Sequence, residues 1–293
     1  MVRESMLQKN ISLKGRILFL LLLFISPYCL SKDTISWQVY HRPPGIIMIG
    51  DEHGQGFVQK MLKLIIDKMP EYEHKMPLTT LARAISDIKA GKQVCHPALF
   101  ITQERLNYMY YSNSTMVNPT NRVVARKGMF DEFLVNNSVD LALALKGRNL
   151  TFAVIKGRSY TESIDKMLTS YVDKSNLFEI SNTDLRAVFR LIQLKRVDAT
   201  IAYPFELGHF SRENDDSVVQ LQTYSIKNVP QYTVGSIACP KNEWGKQVVT
   251  KVNAILAEIK STPQYLEALT TWWESERTNP QFLQFYQNEF LTH

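Results

Sequence analysis

Arg105 is the side chain whose setting points most directly to chemistry. It stands three places after Thr102, at the end of an apolar run, with Gly91-Lys92 upstream and Tyr111-Ser112 downstream. The pattern predicts a helix over Leu81–Ala90 ended by Gly91, a strand over Val94–Ile101, and a Thr102-capped helix whose first turn carries Arg105. A guanidinium beside free backbone N–H groups at a strand's carboxyl end is suited to an anion, and its planar donors match a carboxylate in pairs. The plainer reading is a surface Arg105 paired with Glu104, with Thr102 capping its helix and nothing more.

A second cluster has similar character. Lys156-Gly157-Arg158-Ser159 follows a strand over Leu150–Ile155 and precedes a helix over Thr161–Ser170. Such a turn can hold an anion, or it is a plain connection with an exposed Arg158. Tyr40, His41 and Arg42 follow a strand over Thr34–Val39, where a ring or guanidinium plane can stack on a ligand or merely furnish a loop surface. Tyr203 follows a strand over Val197–Ala202, and Glu206 is the nearest carboxylate after it. Arg83 reaches toward this region or braces its own helix, and bracing is the preferred reading.

These residues need a scaffold of strand ends. A helix opened by Gly54-Gln55-Gly56 and closed by Pro70, a strand over His74–Leu78, and strands at Arg122–Arg126, Phe178–Ile180 and Val234–Ala238 complete the reading. A helix through Leu145, one capped by Asn182 or Thr183 and running to Leu194, and helices over Glu243–Lys260, Pro263–Trp273 and Pro280–Phe290 lie among and after them. Strands alternating with helices, twice over, point to mostly parallel sheets flanked by helices.

The chain has 293 residues and a formal charge of +6. Residues 1–31 read as a secretory signal peptide: Arg3, Lys9, Lys14 and Arg16, then the apolar run Ile17–Ile25, then Pro27 and a small-residue cleavage site at Ser31. Removing this segment takes away four basic residues and Glu4, leaving +3, and no basic run interleaved with aromatics remains. Nucleic acid is therefore not an expected partner. Two cysteines stay, Cys95 and Cys239; an even number in an exported chain points to one disulfide, with two buried thiols as the alternative. The six histidines form no metal-ligand spacing, and no G-x-S-x-G elbow is present, so no metal, cofactor or catalytic set is expected.

In order, Gly54-Gln55-Gly56-Phe57, Ala90-Gly91-Lys92, Thr102-x-x-Arg105, Tyr111-Ser112 and Leu194-Lys195-Arg196-Val197-Asp198-Ala199 resemble the bacterial extracellular solute-binding proteins of family 3, receptors that feed ABC importers. The resemblance implies an α/β, two-lobed periplasmic-binding-protein-like fold of type II with two crossover strands as its hinge. It implies lobe one from residues 32–118 and 235–293 and lobe two from 119–234. It also implies that the segments of Cys95 and Cys239 lie side by side, which favours a bridge between them. By the same resemblance Arg105 forks around a ligand carboxylate, Thr102 and Ser159 assist, and Tyr40, Arg42 and Tyr203 shape the pocket.

The implied protein is a periplasmic monomer that takes a small anionic or zwitterionic solute to an ABC permease, or reports it to a membrane sensor. Amino-acid receptors of this family carry an Asp for the ligand ammonium where this chain has Tyr203. An uncompensated ammonium is costly to bury, which argues against a standard α-amino acid. The rival classes are a periplasmic enzyme on the same fold acting on a small carboxylate through Glu206, and a soluble sensing module.

Overall fold

The computed structural model describes residues 32–147, 149–181, 185–213 and 219–292. The expected leader lies outside the described residues, as do Asn182 and Thr183. Twelve strands are present among them: β1 (Thr34–Trp37), β2 (Glu73–Lys75), β3 (Val94–Leu99), β4 (Met109–Pro119), β5 (Arg122–Arg126), β6 (Leu134–Val135), β7 (Ser138–Val139), β8 (Phe152–Ile155), β9 (Leu177–Ile180), β10 (Ala199–Ala202), β11 (Leu221–Tyr224) and β12 (Tyr232–Pro240). The α-helices are α1 (Phe57–Ile66), α2 (Leu81–Lys89), α3 (Leu141–Gly147), α4 (Glu162–Tyr171), α5 (Leu185–Gln193), α6 (Pro204–Glu213), α7 (Glu243–Ile259), α8 (Pro263–Thr270) and α9 (Pro280–Phe285).

The strands make two five-stranded sheets, one to a lobe. Their orders are β2-β1-β3-β12-β4 and β11-β5-β10-β8-β9; β6 and β7 form a separate hairpin. The chain leaves the first sheet after Pro119, enters the second at Arg122, and rejoins the first at Tyr232. β4 and β12 run antiparallel up to this crossing, where Tyr232 opposes Pro119 and the Thr120 N–H donates to the Gln231 carbonyl at 2.9 Å. The two-lobed α/β architecture is as the sequence implies, but the sheets are more mixed than the strand–helix alternation suggests. β1 pairs parallel with β2 and β3, and β8 with β9 and β10. β12 and β5 pair antiparallel with both of their neighbours, because a strand arriving from the other lobe enters without a crossover helix.

Local chemistry sets the element ends. The Thr80 hydroxyl accepts from the Arg83 N–H and opens α2; Gly91, at φ +75°, ends that segment in a conformation glycine adopts without strain. Asp87 near the end of α2 accepts from Arg83, Lys92 and Gln38, so Arg83 and the lysine of Gly91-Lys92 brace the first lobe. Asp198 plays the same part in the second lobe, accepting from Arg126, the Thr151 N–H and the Thr151 hydroxyl.

In the second lobe both sheet faces are buried. Phe152 and Val154 of β8 join a core with Phe130 and Ile164, while Ala153 and Ile155 join another with Val188 and Phe189. This is the period-2 alternation of a strand covered on two sides. In the first lobe Trp37, Phe57, Met61 and Val252 centre one large core. Cys95 of β3 and Cys239 of β12 are joined by a fully buried disulfide.

The sequence reading misses α6, β11 and the β6–β7 hairpin. It also expects a helix after Thr102, whereas the chain makes a single 3-10 turn, Arg105–Asn107. β4 begins at Met109, and the segment has no room for more than one turn before it.

Candidate functional site

Three arginines from the two lobes converge on one small cavity. Tyr40, Arg42, Leu81, Arg105, Met116 and Asn118 belong to segments of the first lobe; Arg158, Ser159 and Tyr203 come from the second. The cavity is about 40 Å³, and most of its wall is buried side chain.

Arg42 is carried by a tight loop after β1. Its backbone N–H and carbonyl pair with those of Ile46 around a cis Pro43-Pro44 bond. Gly56 anchors this loop: a Cβ there would lie 2.4 Å from the Gly45 carbonyl oxygen, so only glycine permits the approach. Arg42 is left 6% exposed with its guanidinium 5.6 Å from the Tyr40 ring centre and 5.8 Å from that of Tyr203.

Arg105 is equally buried. Its backbone N–H donates to the Thr102 hydroxyl at 3.3 Å, so Thr102 caps the turn. Arg105 Nη1 donates to the Phe100 carbonyl at 3.0 Å, and Nη2 to the Gly157 carbonyl at 2.7 Å. The second bond ties the lobes together. A Cβ on Gly157, at φ +79°, would lie 3.4 Å from Ile85 and 3.7 Å from Ala82 of α2. No ion pair between Arg105 and Glu104 is present; Glu104 accepts from the Tyr108 hydroxyl instead.

Arg158 is not the exposed turn residue of the plainer reading. Its guanidinium forks onto Glu206, Nη1 to Oε1 at 3.2 Å and Nη2 to Oε2 at 2.9 Å, and Nη2 also donates to Asn121. Burial works against its charge, yet the Glu206 carboxylate outweighs burial and raises the Arg158 pKa. Glu206 Oε1 also accepts from Arg42 Nη1 at 3.3 Å, and Oε2 from the Tyr203 N–H at 2.9 Å. The Arg42–Glu206 ion pair is thus a second bond between lobes, with both side chains almost wholly buried.

The remaining residues proposed from sequence divide. Tyr40, Tyr203 and Ser159 line the cavity. The Ser159 hydroxyl donates to Asp165 at 2.6 Å. Thr102 lies instead on a larger neighbouring groove, which shares Arg105, Arg158 and Ser159 with the cavity and adds Glu104, Asp165 and Glu179. Tyr203 stacks on Phe205, and Phe205 inserts between Phe57 and Trp273 of the first lobe, 5.4 and 4.7 Å from their ring centres. Burial raises the pKa of Tyr203.

Three contributors escaped the sequence reading: Met116, Asn118 and Gly235 on the crossover ribbon. His96 also lies close by, its ring 5.9 Å from that of Tyr40. Its Nδ1 accepts from the Ala98 N–H, and burial, helped by Arg42 and Arg105, pushes its pKa down to about 3. It is therefore neutral at physiological pH. Among the described residues no group of His, Cys, Asp and Glu is placed to hold a metal ion.

Residues 38–275 match the family described as bacterial extracellular solute-binding proteins, family 3. No protein of curated function matches the chain by sequence. Among solved structures the chain is similar to holo ArgBP from T. maritima, at 19% identity and TM-score 0.60, over 83% of this chain and 96% of that one. It is similar to the amino acid ABC transporter substrate-binding protein AbpA from Streptococcus pneumoniae bound to L-arginine, at 14% identity and TM-score 0.64, over 83% and 95%. A histidine kinase sensor domain with similarity to periplasmic binding proteins aligns at 12% identity and TM-score 0.65, over 83% and 96%.

Proposed function

The chain belongs to the bacterial extracellular solute-binding proteins of family 3, and from that premise we propose that it captures a small anionic or zwitterionic solute between its lobes. The observation that carries this reading is the convergence of Arg42, Arg105 and Arg158, two from one lobe and one from the other, on a single cavity. Arg105 holds the anion, since its two guanidinium nitrogens donate to neutral carbonyls of Phe100 and Gly157 and a carboxylate is a stronger acceptor. Thr102 assists by capping the turn that carries Arg105, and Ser159 by fixing the wall opposite. Tyr40, Arg42 and Tyr203 shape the pocket.

Residues 32–118 with 235–293 act as one rigid lobe and 119–234 as the other, hinged where the chain crosses between sheets. A solute that touches both lobes favours the closed arrangement by its differential affinity for it. The protein works as an exported periplasmic monomer after removal of its leader, delivering solute to an ABC permease or reporting it to a membrane sensor. Catalysis is disfavoured by the state of Glu206, the best candidate acid. Two guanidiniums and a backbone N–H already occupy both of its oxygens, which leaves neither free to contact a substrate.

A thermal-shift screen of the mature protein against carboxylates, amino acids, peptides and polyamines tests the reading. At least one compound should raise the melting temperature, and Arg105→Ala should abolish that rise. A screen in which nothing binds would overturn it.

A further inference from the structure

We propose that the solute is a short carboxylate that carries no ammonium group, a class best met by a 2-hydroxy acid. This rests on the receptor reading above and narrows it.

Three buried guanidiniums border the cavity, and among the described residues Glu206 is the one acid in an ion pair with any of them. That acid is saturated: Arg42, both Nη atoms of Arg158, and the Tyr203 N–H all donate to it. Asp165 lines the neighbouring groove and already accepts from Ser159 and the Tyr160 N–H. Among the described residues the cavity wall therefore offers no free carboxylate to an ammonium. Three cations against one anion leave an excess of positive charge, which a carboxylate relieves and an ammonium aggravates at short range and low dielectric.

The tyrosine faces on the wall are taken. Tyr40 and Tyr203 line the cavity together with Phe100. Arg42 lies over both tyrosines, Arg158 lies 5.2 Å from the Tyr203 centre, and Phe205 stacks on Tyr203 at 4.9 Å. The two tyrosines, the more electron-rich rings with a hydroxyl, therefore already serve the protein's own guanidiniums rather than a ligand amino group.

Unpartnered atoms and the size of the cavity favour the same class. Two lining residues carry buried polar atoms without a hydrogen-bond partner, Arg42 at Nε and Asn118 at Oδ1. One is a donor and the other an acceptor. A carboxylate oxygen satisfies the first and a hydroxyl hydrogen the second, and buried polar groups are rarely left unsatisfied. The cavity of about 40 Å³ accommodates only a few groups the size of a water molecule, each needing ~10–15 Å³. That points to two or three carbons rather than a long side chain.

Matched pairs test this. Calorimetric titration of the mature wild-type protein with glycolate and glycine, lactate and alanine, and glycerate and serine compares one skeleton with and without the ammonium. The hydroxy acid of at least one pair should bind, and its amino partner should bind on the order of tenfold or more weakly, a factor worth ~1.4 kcal/mol. An amino acid binding as tightly as its partner overturns the proposed class and leaves the receptor reading standing. If no pair binds while a peptide or another carboxylate of the wider screen does, the class is again wrong and the receptor reading survives; binding of a polyamine alone overturns both. If nothing binds in either experiment, both fall.

Discussion

Replacing Glu206 by Gln should remove a bond between lobes and leave two guanidiniums without their counter-charge. The Arg158, Arg42 and Glu206 side chains are 5%, 6% and 1% exposed, so none can turn to solvent without movement of the lobes. Gln keeps the shape and one acceptor oxygen but presents an amide NH₂ to a guanidinium. Removing one partner of a buried ion pair costs about 3–5 kcal/mol. For a chain of this size that corresponds to a fall of roughly 6–20 °C in melting temperature, at about 2–4 °C per kcal/mol. Thermal and urea unfolding followed by circular dichroism measure the loss. The Arg42 bond spans the lobes, so small-angle scattering should also show a wider solution envelope. In Glu206→Ala, free acetate should restore part of the stability in proportion to ln(1 + [acetate]/Kd), by filling the place of the lost carboxylate. A Glu206→Gln protein that unfolds at the wild-type midpoint and keeps the wild-type envelope would refute the claim that this carboxylate holds the lobes together.

Arg105→Ala should weaken solute binding by about 2–5 kcal/mol, the usual cost of deleting one partner of a buried charge pair, with Arg105→Lys intermediate in calorimetry. The Cys95→Ser, Cys239→Ser double variant should lose about 2–5 kcal/mol of unfolding free energy in urea, because the bridge closes a 144-residue separation; titration of the native mature protein should find neither thiol reactive. The buried, neutral His96 makes the protein acid-sensitive. Its folded pKa of about 3 lies below the unfolded value of 6.5, so its contribution is complete above pH 6.5 and is lost as pH falls toward 3. His96→Gln should therefore flatten the dependence of urea midpoint on pH between about 6.5 and 4 relative to wild type; an unchanged slope would refute this.

Much of the scaffold was legible because its signals are local. Thr80 and Gly91 mark the ends of α2, and Arg122–Arg126 reads as a strand from its own β-branched run. Helix α6 was not, and the reason is packing on both sides. Phe205 faces the first lobe's core while Leu207 and Phe210 face the second's, so the apolar residues of the helix fall on two sides and make no single stripe with a 3.6-residue rhythm. β11 is four residues long, and its pairing with β5 comes from far along the chain.

The site divides in the same way. Arg105 could be named from its spacing to Thr102, but its hold on the Gly157 carbonyl across the lobes has no sequence signature. Glu206 was visible as the nearest carboxylate; its capture by Arg42, 164 residues away, was not. Asn118 and Gly235 line the cavity only because the crossover strands pass under it, a consequence of topology rather than of any motif.

The central claim is that solute joins two lobes that otherwise part. Spin labels on the exposed Lys63 of α1 and Lys166 of α4 report the separation directly by pulsed electron resonance. With the tightest compound of the thermal-shift screen at saturation, the distance distribution should collapse to one short, narrow population, and without it a longer population should appear. Identical distributions with and without saturating compound would contradict the account.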